Sequence, residues 1–321
     1  MSTKKIIIAL VIVVLVVGGG LVWQTAQQKN DDVSVYFDEG EGTEESPYQI
    51  TSWPQLYAVR GDLSAHYELT TDLSASDEDY DRVGENWEPL GYCGPNLECF
   101  GGDFSYFFSG SFDGGGHTIS DLKIEKIDSN RRFFGFFGGV TGEVSNLGVE
   151  DADISGKETV GVLAGENRGA ISNVYTSGTV FSEEWHVGGL AGKNHGEIDN
   201  SYSDVAVEAH GFAGGLVGSN LDGSILNSYA NGRVEPEWRA GGLIGDAEDG
   251  EVEGSYWDLE KSGQDVSAGG TGVTMEELTD IDTYLSADWD ISITDQDLND
   301  GYPFLSWQVE DDYSTWLISG Q

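Results

Sequence analysis

The chain repeats itself at a period of 26 or 27 residues. Blocks starting at Val160, Val187, Ala213 and Ala240 read Val-Gly-Val-Leu-Ala-Gly, Val-Gly-Gly-Leu-Ala-Gly, Ala-Gly-Gly-Leu-Val-Gly and Ala-Gly-Gly-Leu-Ile-Gly. A degenerate copy, Phe-Gly-Phe-Phe-Gly-Gly, starts at Phe134. Other positions keep a step of 27: Val144, Ile171, Ile198, Ile225 and Val252; Asn146, Asn173, Asn200 and Asn227, ended by Gly254; Tyr175, Tyr202, Tyr229 and Tyr256; Val180, Val207 and Val234. A period of this length marks a stack of supersecondary units, none of which can bury its apolar face alone. Each unit holds short β-type runs broken by Gly and Asn, with no heptad pattern. Stacking buries rows of like side chains, such as Leu163, Leu190, Leu216 and Leu243. The asparagine column suits turns, because Asn tolerates left-handed backbone, and stacked asparagines can form a side-chain ladder. The expected fold is all-β: a right-handed, parallel β-helix-like solenoid of ~27-residue coils with short capping helices.

Composition narrows the function classes. Fifty-seven Asp plus Glu against fifteen Lys plus Arg give a net charge of −42. A chain so acidic lacks the basic surface that nucleic-acid phosphates need. Its 46 glycines do not recur every third residue, which excludes collagen, and 38% hydrophobic content with nine Trp is too rich for a wholly disordered chain. Such charge keeps a protein soluble but makes it repel itself, and salt screens that repulsion. With only eight Lys, three of them before residue 30, the expectation is a surface adapted to a salt-rich medium. The competing reading is an ordinary protein that binds many cations.

Residues 6–23, Ile6 to Trp23, form an unbroken apolar run after Lys4 and Lys5. At 1.5 Å per residue such a helix spans about 27 Å, close to one bilayer core. The expectation is one N-terminal transmembrane helix with residues 1–5 inside and the rest outside; a cleaved signal segment is the alternative. Residues 24–42 read as an acidic linker, 43–133 as an N-terminal cap and first coils, 134–264 as the repeats, 265–308 as a C-terminal cap and 309–321 as a tail. Ser52 with Gln55, and Thr274 with Glu277, are spaced as capping boxes. Leu56 and Val59 would face inward from the first helix, and Met275, Leu278, Ile281 and Leu285 from the second. In an exported chain Cys93 and Cys99, separated by a turn-prone spacer, read as a local disulfide.

Residues 188–203, Gly-Gly-Leu-Ala-Gly-Lys-Asn-His-Gly-Glu-Ile-Asp-Asn-Ser-Tyr-Ser, resemble the GLUG motif repeat. The resemblance is specific over about 134–264. With flanks such as Gly110-Ser-Phe-Asp-Gly-Gly-Gly-His-Thr-Ile119 and Asn299-Asp-Gly-Tyr-Pro-Phe-Leu305 it covers roughly 42–308. The repeat occurs in tandem in surface proteins, adhesins and some cell-surface peptidases. The resemblance implies a solenoid displayed outside the cell and no established chemistry; the chain has no His-Glu-x-x-His motif.

Three places could carry function. Trp185, His186, Phe212, Trp238 and Arg239 lie just before successive Gly-Gly-Leu starts, accompanied by Glu183, Glu184 and Glu237. Stacked coils would bring them together as an aromatic edge suited to sugar rings; otherwise they close a corner of the solenoid. Asp204 and Asp258, in a column with Ser177 and Asn231, would lie two coils apart, near the separation of an inverting carboxylate pair. Ser177-Gly and Asn231-Gly are, however, ordinary turn pairs. The segment from Asp295 to Gly301 approaches a calcium loop but has one residue too many before the glycine and no Glu at the required distance. No cofactor and no metal site is expected. The expected function is an extracellular, membrane-anchored solenoid for surface binding or adhesion, with a glycan or surface protein as partner. A polysaccharide lyase or hydrolase and a passive envelope spacer are the alternatives, and a secreted form is the alternative location.

Overall fold

The computed structural model describes residues 16–17, 20–21, 33–80, 87–92, 104–125, 132–296, 298–309 and 315–320. Most of the apolar run 6–23, and both Cys93 and Cys99, lie outside them. Within that run the described residues are extended, not helical: Val16–Val17 pairs antiparallel with Gly20–Leu21. Among the described residues no helix is long and apolar enough to cross a membrane.

Among the described residues, the strands from Tyr48–Ile50 to Thr271–Val273 form a parallel β-solenoid. Each coil contributes a long strand, such as Glu143–Gly156 or Ala170–Ser182, then two short ones, such as Thr159–Gly161 and Ala164–Asn167. They assemble into a 15-stranded sheet and two five-stranded sheets. The first sheet already includes Tyr48–Ile50, His66–Leu69 and Ser111–Ser120, so the segment before the repeats is itself coiled. The rows read from the sequence are in register: Val144, Ile171, Ile198, Ile225 and Val252 pair in turn. Leu163, Leu190, Leu216 and Leu243 are wholly buried, each contributing about 1.5–3 kcal/mol. The glycine before each buried leucine pair position has a steric cause. A Cβ on Gly188 or Gly214 would lie 2.1 or 2.0 Å from the carbonyl oxygen of Ala191 or Val217, so the two short strands of one coil can meet only through glycine.

Asn146, Asn173, Asn200 and Asn227 all take left-handed backbone, with φ between 44° and 55°, and Gly254 continues the column at φ 55°. The expected side-chain ladder along them is short. Asn173 donates to Asn146 at 3.2 Å and Asn146 to Asp113 at 3.0 Å, but Asn200 turns to Asp199. A second, fully buried ladder runs through the neighbouring corner. The Asn167 amide donates to Asn194 at 2.8 Å, and Asn194 to Asn220 at 2.9 Å. A third row, Ser201, Ser228 and Ser255, accepts a main-chain N–H from the preceding coil at 3.1–3.2 Å.

Three expectations about the ends are corrected. The helix Trp53–Ala58 does bury Leu56 and, just beyond it, Val59, but Ser52 makes no capping bond. Gln55 accepts instead from the main chain and hydroxyl of Thr51, at 2.7 and 3.0 Å. The Thr274–Glu277 capping box forms, yet the expected single helix is two, Met275–Leu278 and Ile281–Leu285. Asp280 caps the second, which turns Met275 and Leu285 to solvent and buries Leu278 and Tyr284. Finally, residues beyond 308 are not merely a tail. Trp316–Ser319 is the central strand of a three-stranded sheet with Ile291–Thr294 and Phe304–Leu305. This sheet lies along the side of the solenoid and covers the tyrosine column, leaving Tyr175, Tyr202, Tyr229 and Tyr256 less than a tenth exposed. The Asp295–Gly301 segment belongs to this cover. It turns at Asp300 and Gly301, and Asn299 donates to the Tyr229 hydroxyl at 2.7 Å.

Candidate ligand-binding cleft

Between each long strand and the next short one, the chain rounds an outward corner. Ser182 holds this corner: its buried hydroxyl donates to the Lys157 carbonyl at 2.8 Å and accepts the Glu184 N–H at 3.2 Å. The main-chain N–H groups of Trp185 and His186 donate to the Glu158 carbonyl of the preceding coil. His186, Phe212 and Arg239 pair in register on successive coils. The residues one step earlier, Trp185, Gly211 and Trp238, therefore form a column with a glycine at its middle. A Cβ on Gly211 would come within 2.3 Å of the Glu184 carbonyl and 2.4 Å of the Trp185 carbonyl. Only glycine fits there, and its missing side chain lets the indoles on either side meet edge to face.

Both indoles are exposed, Trp185 by 51% and Trp238 by 64%. Their ring centroids are 6.2 Å apart and their planes meet at 75°. They line an open cleft of about 550 Å³ together with Glu183, Glu184, His210 and Gly211. Phe212 braces Trp238 from behind at 5.0 Å and stacks on the His186 ring at 5.3 Å and 12°. His186 is thus a supporting residue. Its Nδ1 meets the Ser219 hydroxyl at 2.7 Å, and burial, aided by the charge of Lys193, pushes its pKa down to about 3. A neutral imidazole stacks on Phe212 without a buried charge. Arg239 turns away to Asp246, 2.6 Å from its Oδ1. Around the rim, Glu184 pairs with Lys157 at 3.6 Å and Glu237 with His210 at 3.7 Å.

Of the five aromatic-edge candidates, then, Trp185 and Trp238 form the cleft walls, Phe212 and His186 form the backing, and Arg239 is outside. His210 and Gly211 escaped the sequence reading. The sign of them was a Trp column interrupted by Gly at the same step.

Asp204 and Asp258 occupy a different setting. Asp258 is wholly buried. Its Oδ1 accepts the main-chain N–H groups of Glu260 and Lys261 at 2.7 and 2.8 Å, capping the helix Leu259–Ser262, and its Oδ2 accepts the Tyr302 hydroxyl at 2.6 Å. Burial and the Asp258 carboxylate push the Tyr302 pKa well up, so the phenol remains a donor. Asp204 pairs with Lys261 at 3.5 Å. These groups fasten the C-terminal segment to the last coils, and a substrate cannot reach Asp258. Among the described residues no group of three or more His, Cys, Asp or Glu side chains is placed to hold a metal ion.

Comparison with known proteins agrees with the fold. Residues 213–235 match the GLUG motif. Halomucin of Haloquadratum walsbyi is 32% identical over 137 residues, which is 40% of this chain and 1% of halomucin. A protein of Evansella cellulosilytica, provisionally named a Gly-rich membrane protein, is 33% identical over 143 residues, 42% of this chain and 15% of that one. The chain therefore corresponds to a small part of the length of these relatives. A crystal structure from Bacteroides ovatus, of a protein assigned provisionally as an immunoglobulin A1 protease, superposes with a TM-score of 0.59. It covers 85% of this chain and 96% of that one at 22% identity, a likeness of fold alone. Residues 213–235 carry a GLUG motif, and the repeats around them wind as a parallel β-solenoid.

Proposed function

We propose that the protein is a surface-displayed binding rod whose Trp185–Trp238 cleft receives an extracellular glycan. The observation that carries this reading is the pair of exposed indoles set edge to face at 75° over Gly211. Flat aromatic faces suit the C–H faces of sugar rings, and a volume of about 550 Å³ lies within the usual range for small-ligand sites. The in-register strands fix the two rings before any ligand arrives, so little ordering entropy is lost on binding. A cell-envelope location is supported by the name of the Evansella relative, and the apolar run 6–23 is the segment that would anchor the chain. The net charge of −42 and the Haloquadratum relative support a salt-rich medium.

A lyase or hydrolase reading has less support, since one of its two carboxylates, Asp258, is a buried helix cap. Screening the purified full chain on a glycan array, with a reducing-end assay on every hit, tests the proposal. Binding that Trp185→Ala and Trp238→Ala each weaken at least tenfold, without turnover, is the expected result. Glycan binding untouched by both substitutions, or no glycan binding at all, refutes it.

A further inference from the structure

The geometry points to a glycan unit bearing a protonated amine, an amino sugar in its free-amine form, as the occupant of the Trp185–Trp238 cleft. This rests on the reading of that cleft as the glycan site and specifies the charge of the sugar it takes.

Two features of the cleft act together. Its walls are aromatic, and rings at 75° present two faces to one corner. The face of an indole is the negative end of its quadrupole and attracts a cation within about 6 Å of the centroid. The second feature is Glu183. It lines the same cleft and is exposed, and it makes no hydrogen bond or ion pair among the described residues. Its neighbours are already engaged, Glu184 with Lys157 and Glu237 with His210. Among the described residues no Lys or Arg lines the cleft. An ammonium group on a sugar stacked against Trp238 would face π-electrons on one side and an unpaired carboxylate on the other. An N-acetylated sugar keeps the stacking but offers Glu183 no charge, and an anionic sugar meets repulsion from it.

The discrimination comes from contact groups and not from the overall charge of −42. At about 1 M salt the Debye length is ~3 Å, which removes the long-range field and leaves only pairs in contact. A charge-assisted hydrogen bond between an ammonium and Glu183 is such a pair, and bonds of this kind are about twice as strong as neutral ones.

Isothermal titration of the purified full chain with glucosamine oligosaccharides and with their fully N-acetylated counterparts tests the assignment. The titrations are run at a mildly acidic pH that protonates the free amines, in low and high salt. The free-amine oligomer is expected to bind about tenfold more tightly, with part of that preference persisting in high salt. Glu183→Gln is expected to abolish the preference, while Trp238→Ala weakens binding of both oligomers. Equal affinity of the two oligomers, or a preference that survives Glu183→Gln, overturns the amine assignment and leaves the glycan reading standing. Binding of neither oligomer overturns the amine assignment too, and the array result then decides the glycan reading by itself.

Discussion

The indole N–H of Trp307 donates to the main-chain carbonyl of Asn173 at 3.0 Å, across 134 residues of sequence. It is one of three such bonds. Trp316 donates to the Asn200 side chain at 3.2 Å and Trp289 to the Gly254 carbonyl at 2.7 Å. All three acceptors belong to the left-handed corner column. A left-handed corner interrupts the strand ladder, so an acceptor there can serve a partner outside the sheet. The C-terminal segment uses these points to lie over the stacked tyrosines, whose rings are about parallel at 5.1 Å for Tyr175–Tyr202 and 5.0 Å for Tyr202–Tyr229.

Trp316 should be the costliest of these anchors to lose. It is wholly buried and packs on Trp289 at 4.8 Å and on Tyr229 at 5.8 Å. Trp316→Ala should destabilise the fold by about 3–5 kcal/mol. Trp316→Phe keeps most of the packing and loses the bond to Asn200, so it should cost substantially less. Urea denaturation gives both values. Hydrogen exchange should show protection lost first over residues 271–320 in the alanine variant. A Trp316→Ala protein as stable as the parent would mean that this segment does not hold the tyrosine face closed.

The rows with a step of 27 were legible because a solenoid with in-register parallel strands converts sequence period directly into spatial stacking. Val144 to Val252 and the tyrosine column needed no other information. The C-terminal cover was not legible, since its partners lie 35 to 134 residues away and its own residues carry no period. The same limit applies to the tyrosine column, whose stacking could be read but whose burial depended on that cover. At Ser52 the spacing rule was met and the bond absent, because Thr51 captures the side chain of Gln55. Within the cleft the two tryptophans were visible as a motif. The glycine at 211 that lets the two indoles meet becomes visible only once the corners are superimposed.

The buried asparagine ladder offers a sharper test of the stacking. Asn194 accepts from Asn167 and donates to Asn220, and all three are wholly buried. Asn194→Leu is close in volume but strands a donor on one coil and an acceptor on the other. Each orphan costs about 1–3 kcal/mol, so a loss of roughly 2–4 kcal/mol is expected. By contrast Asn227→Gly, in the left-handed column, should be nearly neutral. Asn227→Ala should cost about 1–2 kcal/mol through backbone strain at φ 44°. Chemical denaturation of the three variants checks the order; an Asn194→Leu variant as stable as Asn227→Gly would contradict the ladder.

Salt should stabilise this protein. With fifty-seven acidic and fifteen basic side chains, folding concentrates like charges, and their repulsion falls as the Debye length shrinks from about 10 Å at 0.1 M to about 3 Å at 1 M. The melting temperature should rise steeply with sodium chloride over that range. The same concentrations of a neutral osmolyte should do less. A melting temperature independent of salt would show that the acidic surface is not under repulsive load.

His186 should make the fold sensitive to acid. Burial first, and the charge of Lys193 second, hold its folded pKa down to about 3, against about 6.5 in an unfolded chain. As pH falls below 6.5 the unfolded state takes up a proton that the folded state refuses. The stability contributed by the neutral ring is therefore complete above that pH and is lost progressively toward pH 3, on the order of a few kcal/mol in total. His186→Phe keeps the stacking on Phe212 and removes the titration. At neutral pH the variant should be less stable by about 1 kcal/mol, because the wholly buried Ser219 hydroxyl loses its partner. Toward pH 4 the difference should shrink and then reverse. Carboxylates elsewhere, such as Asp199, whose pKa burial raises, titrate in both proteins and cancel from the comparison. Urea denaturation of the pair at several pH values measures the crossing, and parallel curves would show that His186 is charged in the folded state.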